Sequence, residues 1–507
     1  MIRFDRFTRA RMPVAAVLFL AGAILLAQTS DLRGRVHPGR DEYAIGLPVA
    51  AVHEQAKLTA GDAADDDWFG WAVALSGETI AVGAIEDDDA GPKSGSVYLF
   101  VRGETGWLEH ANLIGGDTAA FDKFGGAVAL DGDTLLVGAA GDDDDGFESG
   151  SVYVFVRNGS VWSEQAKLTA SDGAANDQFG YSVAISGDTA IVGAHLEGEF
   201  DAGAAYVFVR DGTTWAEQAK LTGGQGGDLF GASVALDGDR ALVGAVGANG
   251  PGLTSGAAHV FVRGGSEWSQ QARLTASDAG PEDRFGNSVA IFGDTALVGA
   301  YHANLPGGFK QGAAYVFVRS GTSWSEQAKL TASDPATADW FGSSVVLEGS
   351  TAVVGAVGDN PDLVGDAGAA YVFLQDGTIW TEYAKLTASD GTHAASLGRS
   401  VALSGDTAVV GAERADTPAA QDAGAAYVFR VPPGSVADDE DEDADDEDGD
   451  ESDDEFADEV ATKWPGDGED QSLSDLMASV ARRSDISPWK TMAIIPTVTM
   501  LPIGDWK

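Results

Sequence analysis

The side chains best suited to chemistry in this chain are carboxylates. Glu86-Asp87-Asp88-Asp89 and Asp142-Asp143-Asp144-Asp145 are runs of four, and Glu197, Glu199 and Asp201 follow farther along. Grouped carboxylates suit a hard cation such as calcium, which takes roughly six to eight oxygen ligands, or a basic partner surface. Asp87, Asp89, Asp142 and Asp144 are the alternative calcium ligands, and the leading expectation is a chain with neither metal nor cofactor. His195, Tyr301, His302, Asn304, Asn360 and His393 lie at positions comparable to the acidic runs and are candidates for ligand contact. None of these residues has catalytic spacing. There is no His-Glu-x-x-His, no Gly-x-Ser-x-Gly and no phosphate-binding glycine loop, so no catalytic residue is assigned. The absence of cysteine removes disulfides, thiolate metal sites and cysteine nucleophiles.

Charge narrows the partners further. The 507 residues include 31 Lys and Arg against 79 Asp and Glu, for a net charge of −48. A nucleic-acid partner is excluded, because neutralising phosphates needs clustered cations. Residues 1–27 place Arg3, Arg6, Arg9 and Arg11 before the apolar run Val14 to Ala27, the order of a signal peptide. The run is shorter than the ~20 residues that cross a bilayer as a helix. Export is therefore expected, to a secreted, periplasmic or cell-surface location, with no stable membrane span in the mature chain. Residues 28–48 read as a linker. Residues 432–460 form an acidic linker with 17 Asp or Glu between 438 and 459, expected to stay disordered because it cannot bury enough apolar area. Residues 461–507 form a tail to which the sequence assigns no role.

Positioning the acidic runs and the scattered candidates falls to a unit repeated seven times with a period near 55 residues. Phe-Gly recurs at Phe69, Phe124, Phe179, Phe230, Phe285 and Phe341, with Leu397-Gly398 as the altered seventh copy. Gly-Ala follows at Gly83, Gly138, Gly193, Gly244, Gly299, Gly355 and Gly411. An aromatic segment then begins at Gly95, and a Glu-Gln-Ala-Lys-Leu-Thr type segment closes each unit, first at Glu54. In the third copy, Phe179 to Ile185, Thr189 to Ala194, Ala205 to Arg210 and Trp215 to Thr222 read as four strands. Gly-Asp turns such as Gly187-Asp188 suit tight hairpins. Four antiparallel strands per unit make a propeller blade, and seven units make an all-β, seven-bladed propeller over residues 49–431. The closing segment occurs once before the first Phe-Gly and is missing after Phe429. Residues 52–59 are therefore expected to complete the seventh blade beside 425–430, removing the exposed edges of an open stack.

These motifs resemble the FG-GAP repeat family, the blade unit of integrin alpha subunits and of many bacterial surface proteins. The resemblance covers residues 49–431 and implies extracellular recognition. Two departures stand out. The proline that ends the family's Gly-Ala-Pro is replaced by Ile85, Ala140, His195, Val246, Tyr301, Val357 and Glu413. The calcium loop that many family members carry between Phe-Gly and Gly-Ala is cut to turns such as Ser76-Gly77-Glu78 and Asp131-Gly132-Asp133, so the family's calcium sites are not carried over.

Residues repeated in nearly every blade are expected to serve the blade. Asp67, Asp122, Asp177, Asp228, Asp283 and Asp339 should bond backbone N–H groups ahead of the inner strand. Trp107, Trp162, Trp215, Trp268, Trp324 and Trp380 should pack between blades. Arg102, Arg157, Arg210, Arg263 and Arg319 should pair with outer-strand Glu. Function is expected where blades differ, on the face carrying the loops between second and third strands and between fourth and first. Glu86, Asp88, Asp143, Asp145, His195, Glu197, Tyr301, His302 and Asn360 are the candidate partner-binding residues there. The expected protein is an exported, monomeric recognition or adhesion module for an extracellular protein or glycan. A hydrolase with its site in the propeller channel and a structural cell-envelope component are the alternatives.

Overall fold

The computed structural model describes residues 52–361, 365–418 and 420–433. The expected leader, the 28–48 linker, most of the acidic linker and the tail lie outside the described residues. Every named element is a strand, and no helix among the described residues is long and apolar enough to cross a membrane.

The 28 strands form seven four-stranded sheets. The first blade is typical, with an inner strand Phe69–Ser76, a second Thr79–Ala84, a third Ser96–Gly103 and an outer strand Gly106–Leu113, each antiparallel to the next. The inner and second strands are almost wholly buried, because both faces of a propeller sheet lie against neighbouring blades. The outer strand is only partly covered and alternates polar with apolar residues.

Ring closure follows the sequence expectation. Glu54–Leu58 pairs antiparallel with Ala425–Arg430, matching Lys57 to Tyr427 and Leu58 to Ala426. The seventh sheet thus combines both ends of the repeat region, and its Ala402, Val409, Ala426 and Val428 share one apolar cluster with Phe69, Val73, Ile80 and Val82 of the first blade.

The repeated glycines are explained at the blade seams. A Cβ on Gly138 would collide with the carbonyl oxygen of Gly180 in the next blade, and Gly83 meets Gly125 and Gly411 meets Gly70 in the same way. The Phe-Gly of one blade therefore seats on the Gly-Ala of its predecessor. Gly150 forms an isolated parallel bridge to Phe179. The same bridge recurs at Phe230 and Phe341, where the inner strand starts at the Phe, whereas the third inner strand starts at Ser182 and not at Phe179 as the sequence suggests.

Three further clasps repeat around the ring. Asp67, Asp122 and Asp177 each accept a backbone N–H from the residue three before them, at 2.6, 2.7 and 2.8 Å, as expected. Each outer strand carries a bulge, which turns its extra residue sideways. That residue is Gln165 or Gln218, whose amide oxygen accepts from Trp215 or Trp268 of the next blade at 3.0 and 2.9 Å. The tryptophans thus join blades, as the sequence implies. The arginine expectation is corrected: Arg157, Arg210, Arg263 and Arg319 pair with Asp133, Asp188, Asp239 and Asp294 of the inner hairpin turns. The outer-strand glutamates reach across seams instead. Glu109 accepts from the Gly61 N–H at 2.8 Å, and Glu54 accepts from Ser389 at 2.9 Å to continue the series through the closure.

Candidate functional site

The two variable loop sets share one face, because each loop between second and third strands touches the loop entering the next blade. The Asn176 N–H donates to the Phe147 carbonyl at 2.7 Å, and Phe121 donates to Pro92 at 2.9 Å. The acidic rim expected there divides by burial. Asp87 and Asp142 are buried, whereas Asp88, Asp89, Asp143, Asp144 and Asp145 are exposed.

The buried members serve the blades. Lys167 lies 2.9 Å from Asp117, 2.8 Å from Asp142 and 2.6 Å from Asp144, with its ammonium 5.0 Å from the centre of the Tyr153 ring. The Tyr153 hydroxyl donates to Asp117 at 2.7 Å and is 3.0 Å from Asp142. A protein ammonium therefore occupies the place among these carboxylates where the alternative reading puts calcium. The arrangement recurs with Lys220 on Asp172 and Glu197, and with Lys385 on Asp334 and Asp359. The Lys385 copy borders a cavity of about 400 Å³ that Asn360 also lines.

Blade 1 departs from this pattern. Asn112 stands where the other blades carry Lys or Arg, and its amide donates to Asp89 at 2.8 Å. The Tyr98 hydroxyl is 2.8 Å from Asp62 and 2.7 Å from Asp87. No three His, Asp or Glu side chains among the described residues converge as ligands for a metal.

A second group of residues gathers at the channel mouth, and most of it was not singled out from the sequence. His195 and Tyr301, expected on exposed loops, are instead buried. The residue after Gly-Ala is carried into the channel by the end of the second strand, where the family's proline would stand. The Tyr181 and His195 rings lie 3.7 Å apart between centres, and burial depresses the His195 imidazole to about 3, so it is neutral at physiological pH.

A cation–aromatic column rises from the channel floor beside them. The Arg399 guanidinium sits 3.7 Å from the Trp71 ring centre, Trp71 stacks on Trp68 at 5.6 Å, and Arg414 lies 5.1 Å from Trp68. Glu413 is the carboxylate between the guanidiniums, 2.6 Å from Arg399 and 4.0 Å from Arg414. The close Arg399 contact lies off the hydrogen-bond direction and is chiefly coulombic.

On the opposite arc, the His302 ring meets Tyr301 at 4.1 Å and Trp340 at 6.5 Å between centres, tilted to both. Burial, then Lys310 and Arg284, hold His302 near 4, so it too is neutral. Tyr301 feels the fields of both Arg284 and Arg399, which ties the two arcs to one mouth.

The residue immediately before each Phe-Gly supplies much of this group. Trp68, Lys123, Gln178, Leu229, Arg284, Trp340 and Ser396 all adopt left-handed backbone, with φ between 54° and 61°. Glycine or asparagine fits that conformation cheaply, yet none of the seven positions carries either. The sequence held a signal for this ring: a position that takes six residue types in seven copies, between neighbours that stay Asp and Phe in six of them.

A closed ring of seven four-stranded blades, seated Phe-Gly on Gly-Ala, is a seven-bladed β-propeller. The chain belongs to the FG-GAP repeat family, whose model matches residues 52–100, 107–155, 162–208, 215–261, 268–317, 324–373 and 380–429. No curated protein matches the chain.

Proposed function

We propose that this chain is an exported recognition protein that binds an extracellular protein or glycan through the loop face of its propeller. The observation that carries the reading is the division of labour between the two ends of the blades. The inner hairpin turns at one end are locked to their neighbours, as where the Gly132 N–H donates to Ser76 at 3.0 Å and the Gly187 N–H to Asp131 at 2.7 Å. At the other end the loops differ from blade to blade and present Asp88, Asp143, Asp145, Trp68, Trp340 and Arg414. Family membership agrees with an extracellular setting. A catalytic reading finds less support, because the buried Glu413 is engaged by Arg399, and Asp334 and Asp359 are engaged by Lys385.

The test is binding of the purified full-length chain to arrayed extracellular glycans and proteins, repeated with two variants. Asp88→Asn with Asp143→Asn and Asp145→Asn alters the loop face, and Glu78→Gln alters the turn end. The expected result is at least one binder whose signal changes several-fold in the loop-face variant and not in Glu78→Gln. Binding altered only by Glu78→Gln, or a chain that binds nothing on either array, overturns the reading.

A further inference from the structure

We propose that the channel mouth at blades 5 and 6 binds a carboxylate-bearing sugar, with Arg284 holding the carboxylate and Trp340 supplying the stacking face. This deepens the recognition reading above and rests on it. Arg399 and Arg414 flank Glu413, whereas Arg284 lies beside His302, whose backbone N–H donates to the Asp283 carbonyl at 3.3 Å. Arg414 is half-exposed and lies among Asp422, Asp416 and Asp66. Arg284 is only partly exposed and has no ion pair or hydrogen bond from its guanidinium among the described residues, unlike Arg157, Arg210, Arg263 and Arg319. A partly desolvated guanidinium without an anion is a recognition group in waiting, since its fork matches a carboxylate in geometry as well as charge.

The aromatic part selects a sugar over a bare anion. Trp340 is half-buried, so it offers an indole face at little ordering cost, and pyranose C–H faces pack on such surfaces. The Trp340 indole N–H is a buried donor without a partner. Neutral His302 and the Tyr301 ring complete the floor without adding charge. A basic protein segment is disfavoured as occupant here, because it would meet the Arg284 guanidinium, which has no anion of its own.

The test uses the full-length chain and two probes, a uronic-acid tetrasaccharide and a neutral glucose tetrasaccharide of the same length, read by tryptophan fluorescence and calorimetry. The expected result is binding of the uronate at least tenfold tighter than the neutral sugar, weakened by added salt. Arg284→Gln should lower uronate affinity at least tenfold with an unchanged melting temperature, and Trp340→Leu should lower affinity for both sugars. Uronate binding that survives both substitutions overturns this site and leaves recognition by the loop face standing. Failure of the wild-type chain to bind the uronate, while it binds another arrayed ligand, also overturns this site alone.

Discussion

The seam glycines are the residues on which the ring depends most directly. Gly138 has no room for a methyl group because the Gly180 carbonyl of the next blade rests on its Cα, whereas a Cβ on Gly187 meets nothing within 4 Å. Gly138→Ala should therefore cost about 3 kcal/mol or more through steric displacement of a seam. Gly187→Ala should cost only about 1 kcal/mol, for its φ of 58°. Urea unfolding of the two variants checks this, and equal midpoints would contradict the seam account. The repeated Asp before Phe-Gly was readable as a backbone cap from its position alone. Asp142 was not, because its burial depends on Lys167 and Tyr153 arriving from other strands.

The outer strand Gly106–Leu113 of blade 1 is the element that departs most from its repeats. His110 occupies the bulge position held by Gln in several other blades and contacts the Ser160 carbonyl at 2.6 Å, leaving the buried Trp162 indole N–H without a partner. Asn112 replaces the ammonium that elsewhere bridges the loop carboxylates. His110→Gln should supply the missing acceptor and Asn112→Lys the missing cation, each raising stability by up to about 1 kcal/mol. The Asn112→Lys gain should shrink in high salt. A thermal melt of each variant decides, and a drop in both would mean that this strand is adapted to something other than blade stability.

Across the whole molecule, pH acts through two opposed sets of carboxylates. Burial lifts Asp67 and Asp122 to about 6 against the pull of the Ala64 and Ala119 N–H groups. Their folded forms bind protons more tightly than the unfolded chain, so stability should rise as pH falls from 7 through 6 toward 5. Asp117 is held below the usual range by the Tyr153 hydroxyl and Lys167, and Asp172 by Lys220 and Tyr206. Their contribution is present above the normal carboxylate range and is lost as pH falls through their depressed values. With the net charge of −48 also relieved by mild acid, the melting temperature should peak between about pH 4 and 5. A steady decline from pH 7 to 5 would show that the buried Asp67 set does not control the acid response.

Sequence alone determined the number of blades, their four strands and the closing partner of Glu54–Leu58. Those follow from the period, the alternation and the order of local markers, all carried by contiguous residues. It also marked the loop face as the place where copies diverge. Tertiary structure alone decided which acidic residues are free, because Asp87 and Asp142 differ from their exposed neighbours only by what packs against them. It alone assembled Trp68, Trp71, Arg399 and Arg414, which come from the first and seventh blades and meet only because the ring closes.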